Sequence, residues 1–215
     1  LNVIGFGLNY AQFGSWQWTT SSNTSSSQLG IFVAGYETPA NAIPASGNAT
    51  YSGVGTVQGL AFSLTTGNLT SASLSGDATF SANFSTGAIS GNFTNMTARD
   101  INNVTTPWND VSVSASIATG TSHFSGSTST TTPVTTTPFT ISGNATGHID
   151  GGFYGPNADE LGAVWSLTSS PNGAIGTVGA GHVGSGGGSA GAGITAVMNG
   201  PGDIVGIGVG IGSSH

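Results

Sequence analysis

The sequence predicts an all-β protein built as an antiparallel meander, and three observations carry that prediction. Helical periodicity is missing: no window keeps apolar residues at i, i+3, i+4 and i+7, whereas β-branched residues alternate with Ser, Thr and Gly almost throughout. Turn signals recur at short intervals, with Gly87 in "STGAISG", Gly147 in "ATGHID" and Pro171-Asn172-Gly173 in "SSPNGA" each reading as a tight hairpin. Composition adds a third constraint, because 36% of the 215 residues are hydrophobic and only 4% are charged. That is enough apolar surface for a core, and too little charge to guard open strand edges. A sandwich or an up-and-down barrel fits the pattern, and a barrel removes the edges.

Taken in order, the alternating runs place strands at Val3 to Asn9, Ala11 to Thr19, Leu29 to Gly35, Gly47 to Val54, Ala78 to Phe84, Ala88 to Met96 and Val111 to Ile117. They continue at Ser122 to Gly126, Phe139 to Ala145, His148 to Tyr154, Leu161 to Thr168 and Ala174 to Val183. "GSTSTTTPVTTTPFT", Gly126 to Thr140, reads as an exposed loop, since its prolines cannot donate to a ladder. The organisation is thus a β-domain over 1–183, a Gly/Ser linker over 184–193 ("GSGGGSAGAG") and a strand-forming extension over 194–215.

The charge balance excludes whole classes of partner. Arg99 is the single strong base against eight acidic residues, so neither nucleic-acid phosphates nor an anionic membrane surface has a counterpart here. With no cysteine there is no disulfide, thiolate or cysteine metal site. The chain begins at Leu1 with no basic leader and has no apolar stretch of membrane-spanning length, and it reads as a mature exported chain, extracellular or at the cell surface, without membrane insertion. Eight Asn-x-Ser/Thr sequons (Asn23, Asn48, Asn68, Asn83, Asn92, Asn95, Asn103 and Asn144) are what chance yields in so Asn/Ser/Thr-rich a chain.

Chemistry is sparse. The histidines at 123, 148, 182 and 215 form no HxH or HExxH pattern, so no metal site is assigned. His148 and Asp150 share a strand face and read as a structural pair, and Arg99 with Asp100 as a surface pair. Asp159 and Glu160, adjacent on one strand, point to opposite faces and cannot form a catalytic dyad. There is no nucleophile elbow, so no catalytic residue is assigned and the protein reads as non-enzymatic. Trp16 and Trp18 share a face that fills a core, and Trp108, in "TTPWND", reads as an exposed contact.

The stretch "GHIDGGFYGPNADELGAVWSL", Gly147 to Leu167, resembles the signature of the transferrin-binding-protein-B-like β-barrel family. The matching positions are Gly152, Phe153, Tyr154, Gly155, Pro156, Ala158, Glu160, Leu161 and Gly162, with "YAQFGSWQW" and "PASGNATYSG" similar to the aromatic opening and first barrel strand. The resemblance spans about Tyr10 to Val183. It implies an eight-stranded antiparallel barrel with extra N-terminal strands packed beside it, in a bacterial surface protein, and members that bind host iron proteins or haem. A separate N-terminal handle domain is too short or absent on this reading, and the family's lipoprotein cysteine is missing. Without the family, Gly151, Gly152 and Gly155 allow a sharp turn, and Glu160 at a strand start can accept turn N–H groups.

The last apolar stretch, "GDIVGIGVGIG", alternates Val205, Ile207, Val209 and Ile211 with glycine. Burying those four side chains contributes about 6–12 kcal/mol at most, which ordering some ten residues at about 1–2 kcal/mol each offsets, so the strand needs a sheet edge. On the tether of the linker it is expected to dock on a neighbouring copy, making the protein a self-assembling subunit, filamentous or surface-layer-like, whose partner is itself. The alternative is a ligand-binding barrel for haem, iron acquisition or a host protein. No cofactor is assigned; under that alternative haem takes His123, His148 or His182 as ligand.

Overall fold

The computed structural model describes residues 2–19, 27–65, 68–132, 139, 145–184 and 205–211. Eight strands close into an antiparallel up-and-down barrel: β4 (Asn48–Thr65), β5 (Asn68–Asn83), β6 (Ala88–Arg99), β8 (Asp110–Ile117), β9 (His123–Thr132), β10 (Thr146–Tyr154), β11 (Glu160–Ser169) and β12 (Asn172–His182). Each pairs with the next, and β12 returns to β4. The three-residue β7 (Thr105–Pro107) adds to β6 outside this circuit. A second sheet of four strands, ordered β1 (Asn2–Gly7), β2 (Ala11–Thr19), β3 (Ser27–Gly35) and β13 (Val205–Ile211), lies against the outside of β11 and β12. The extra N-terminal strands thus form a separate sheet packed beside the barrel, as the resemblance implied.

Alternation along the strands decides what lies inside. In β6 the inward set is Ile89, Gly91, Phe93, Met96 and Ala98, and the outward set includes Ser90, Asn92, Asn95 and Arg99. The barrel interior is filled by apolar side chains, with Trp165, Phe93, Phe80, Phe124, Phe153, Leu161 and Tyr51 among them. This is the reverse of a membrane-spanning barrel, which is apolar outside and polar within. A second, smaller core of Ala11, Phe13, Ile31, Val33, Tyr154, Val164 and Ile175 joins the outer sheet to the barrel wall.

Several expectations change. The hairpin β4–β5 is far longer than "Gly47 to Val54" and "Ala78 to Phe84": a bulge between Gly53 and Val57 interrupts the alternation of β4, and the first half of β5 alternates on mostly small inward residues, Ala72, Leu74 and Gly76. The presumed Thr/Pro loop is strand as far as Thr132: Thr128 and Thr130 are buried, and the Thr128 hydroxyl donates to the Ser166 carbonyl at 2.5 Å. Residues 133–138 lie outside the described residues. Gly147 and Gly173 are not turn residues but sit within β10 and β12, where a Cβ would strike the Ser166 carbonyl and the Phe62 ring. Close approach of neighbours, not positive φ, selects glycine at both. Gly87, by contrast, takes φ 73° in its turn. Most of the expected strand Phe139 to Ala145 is outside the described residues, and Phe139 itself sits in a turn.

Trp108 is 2% exposed, not a surface contact. Its ring stands 6.5 Å from Trp165 and its Nε1 donates to the Phe139 carbonyl at 2.9 Å, so the 100–109 connection folds inward and caps one barrel end. A closed barrel has apolar ends to cover, and loop aromatics do so here. The tail strand β13 pairs antiparallel with β3 of its own chain, Val205 opposite Val33 and Ile211 opposite Ser27. The linker beyond Gly184 lies outside the described residues.

Candidate functional site

The turns at 84–87, 118–122 and 155–159 lie at one end of the barrel, here the near end, where the segment 36–47 crosses from β3 to β4. The family-like motif forms the β10–β11 hairpin there. Phe153 points into the barrel and stands 5.6–5.8 Å from Phe84, Tyr51 and Phe124, an aromatic plug closing the interior. Tyr154, one residue on, points outward into the joint with the outer sheet. Gly162 is bare because a Cβ there would press on Val33 Cγ1 at 2.8 Å, so glycine lets the two layers touch. Gly152 pairs with Gly162 across the hairpin, Leu161 lies in the barrel core, Gly155 takes φ 87°, Ala158 takes φ 56° while buried, and Pro156 is exposed on the turn.

Glu160 joins the two layers. It is 3% exposed, and its carboxylate accepts from the backbone N–H groups of Asn9 at 2.7 Å, Tyr10 at 2.9 Å and Ala11 at 2.8 Å. Those amides form the β1–β2 turn, which the sequence could not identify as its partner from some 150 residues away. Asp159 faces the other way, accepting from Asn157 N at 3.2 Å within the hairpin turn.

Burial raises the hydroxyl pKa of Tyr51 and of Tyr154 far above the ordinary tyrosine value, with Asp159 adding to the first and Glu37 to the second. Tyr51 donates to the Ala158 carbonyl at 2.8 Å. A folded-state pKa raised this way gives stability that is complete below the unfolded value of about 10 and is lost as pH rises beyond it. Stability measured by denaturant titration is expected to be flat up to about pH 10 and then to fall by roughly 1.4 kcal/mol per pH unit for each tyrosine. The double variant Tyr51→Phe, Tyr154→Phe should remove that alkaline slope.

Beside the motif, the chain leaves β3 at Gly35 and turns Tyr36 outward. The Tyr36 N–H donates to the Tyr10 carbonyl at 2.9 Å and the Gly155 N–H to the Tyr36 carbonyl at 2.8 Å, which fixes the backbone while the ring stays 63% exposed. Tyr10 is 39% exposed alongside it. Glu37 follows, 3.4 Å from His123 Nε2. Across the same end lies a hollow of about 360 Å³ lined by Ile43, Phe84, Ile117 and the small polar residues of the turns. Sequence reasoning missed Tyr36 and Glu37, whose only signal was an aromatic–acidic pair in the non-periodic, proline-bounded stretch "YETPANAIP".

The remaining candidates are scattered. His148 and Asp150 line a shallow hydroxyl-rich groove on the outer face of β8, β9 and β10. His182 packs on the Tyr51 ring, 5.4 Å between centroids. The Asp100 carboxylate closes its own turn by accepting from the N–H groups of Asn102 and Val104. Trp16 lies across Gly30 in the outer sheet, and the Trp18 side chain and His215 are outside what is described. Among the described residues no three His, Asp or Glu side chains gather as a metal site.

The family model for the C-lobe and N-lobe beta barrels of Tf-binding protein B matches residues 43–182. Among solved structures, transferrin binding protein B from Haemophilus parasuis Hp5 is 24% identical with a TM-score of 0.58, over 84% of this chain and 35% of that one. Intact Ap-TbpB, with its N and C lobes, is 20% identical with a TM-score of 0.51, over 84% of this chain and 38% of that one. The same protein from Actinobacillus pleuropneumoniae H49 is 16% identical with a TM-score of 0.51, over 84% and 80%. These identities establish the fold, and the chain spans little more than a third of the length of the first two. No curated protein matches. These matches overturn the expected self-assembling subunit whose partner is itself: the matched family and the structures named above are of proteins named for binding transferrin. With an eight-stranded barrel, a docked outer sheet and a family model matched over residues 43–182, the chain belongs to the transferrin-binding protein B barrel family.

Proposed function

We propose that this chain is a receptor lobe displayed on a bacterial cell surface, binding a host protein of the transferrin type through the near end of its barrel. The observation that carries the reading is the exposed pair Tyr36 and Tyr10 beside the hollow floored by Ile43, Phe84 and Ile117. Tyrosine offers large amphipathic contact area at low entropic cost and is enriched where interfaces hold their binding energy. The rim turns, Ser85-Thr86-Gly87 and Ala118 to Ser122, carry no charge and so add little desolvation cost. The reading is recognition without catalysis and without a cofactor.

The test is a titration of the immobilised chain with iron-loaded host transferrin. Saturable binding is expected, weakened at least tenfold by Tyr36→Ala, as for a central interface aromatic. Absence of binding, or a Tyr36→Ala protein that binds as well as the parent, would remove the proposal.

A further inference from the structure

The outer sheet and the barrel wall are tightly packed around Phe13, Val33 and Gly162, but they part further along. There a groove of about 260 Å³ opens between Phe6, Leu29 and Ile31 on one side and Leu60, Ile175 and Gly59 on the other. The cause is side-chain size. In β2 Ser15, opposite Ile31, faces the barrel wall where a filled interface would carry a branched residue, and Gly14 and Gly59 contribute only backbone to the lining, so the two apolar faces do not meet there. At this volume the groove is smaller than the roughly 300–1,000 Å³ sites that hold drug-sized ligands. Its apolar walls between two sheets suit a single acyl chain.

The groove has a charged end. Across the barrel's outer face Ile175 pairs with Leu60, Leu60 with Ser73, and Ser73 with Arg99, one unbroken row of direct cross-strand neighbours. Directly opposed residues share a face with Cβ atoms about 4.5–5.5 Å apart, so Arg99 stands one strand beyond Ser73, which lines the groove mouth. The Ser73 hydroxyl donates to the Arg99 carbonyl at 3.3 Å and ties the two strands there. In a chain with one strong base among 215 residues, that base is the direct cross-strand neighbour of Ser73 at the groove mouth. Asp100 next to it is engaged in its own turn.

We propose that this groove binds a single-chain fatty carboxylate, the acyl tail between the two sheets and the head group on the Arg99 guanidinium. Apolar burial supplies the affinity of the tail, and a planar guanidinium matches a carboxylate in two-point geometry. The site is independent of the near end of the barrel and of any protein bound there.

Decanoate is the probe, titrated calorimetrically into the full chain, with decanol as its uncharged counterpart. Decanoate should bind more tightly than decanol. Arg99→Gln should weaken decanoate about tenfold and leave decanol unchanged, and Ser73→Phe should abolish binding of both by filling the mouth. Both positions are exposed, so the variants should unfold at the parent temperature, which thermal denaturation checks. Equal binding of decanoate and decanol, no binding of either, or a Ser73→Phe protein that still takes decanoate would overturn the proposal.

Discussion

Replacing Glu160 by Gln is expected to loosen the outer sheet from the barrel and to cost about 2–4 kcal/mol. The carboxylate accepts from three backbone amides with both oxygens in a site 3% exposed. Hydrogen bonds to a charged acceptor contribute about 1.5–3 kcal/mol each, and a buried donor left without a partner costs about 1–3. Glutamine keeps one acceptor oxygen and turns an NH₂ group toward an N–H, so at least one amide of Asn9, Tyr10 or Ala11 faces a donor. Hydrogen exchange should show faster exchange of those three amides and of β1 and β2, with β8 and β9 unchanged. A Gln variant with parental stability and parental protection of residues 9–11 would show that the carboxylate does not hold the layers together.

Trp165→Ala is expected to be the most damaging single substitution in the barrel interior. Its ring stands 5.5 Å from Phe93 and 6.5 Å from Trp108, and its Nε1 donates to the Thr177 carbonyl at 3.3 Å. Gly59 and Gly176 are bare because a Cβ at either would meet the Trp165 ring, at 3.2 and 2.7 Å, so the neighbouring strands are shaped around this indole and cannot collapse into the space it leaves. Large aromatic truncations of this kind cost about 3–5 kcal/mol. For a domain of this size the melting temperature should fall by roughly 10 °C or more. Trp165→Phe, which keeps most of the volume, should lose well under half as much in the same thermal melt.

How much of this could be read from the chain follows from how local each signal is. β6 was legible because it alternates from Ala88 to Phe93 before an irregularity at 94–97 moves its inward set to Met96 and Ala98, and β11 because it is a nearly continuous apolar run. The second half of β4 was not, since the bulge between Gly53 and Val57 shifts its period, and the first half of β5 alternates but turns mostly small residues inward, Ala72, Leu74 and Gly76, which make a weak signal. Glu160 was legible as an acceptor at a strand start, but its donors belong to a turn near the other end of the chain, a pairing that only the fold makes. Gly147, Gly173 and Trp108 were misread for one shared reason: glycine and a proline-flanked aromatic usually mark surface turns, yet here they answer to crowding between strands and to capping of a barrel end. The alternation of Val205, Ile207, Val209 and Ile211 reads as a strand in search of an edge. Which edge is not written in the strand, and β3 of the same chain supplies it.

The central claim, a receptor lobe that binds through the near end, is tested most directly by mapping hydrogen exchange of the chain with and without iron-loaded host transferrin. New protection is expected in 36–47, 84–87 and 118–122, with residues 100–107 at the opposite end unchanged. Protection confined to 100–107, or none at saturating transferrin, would contradict it.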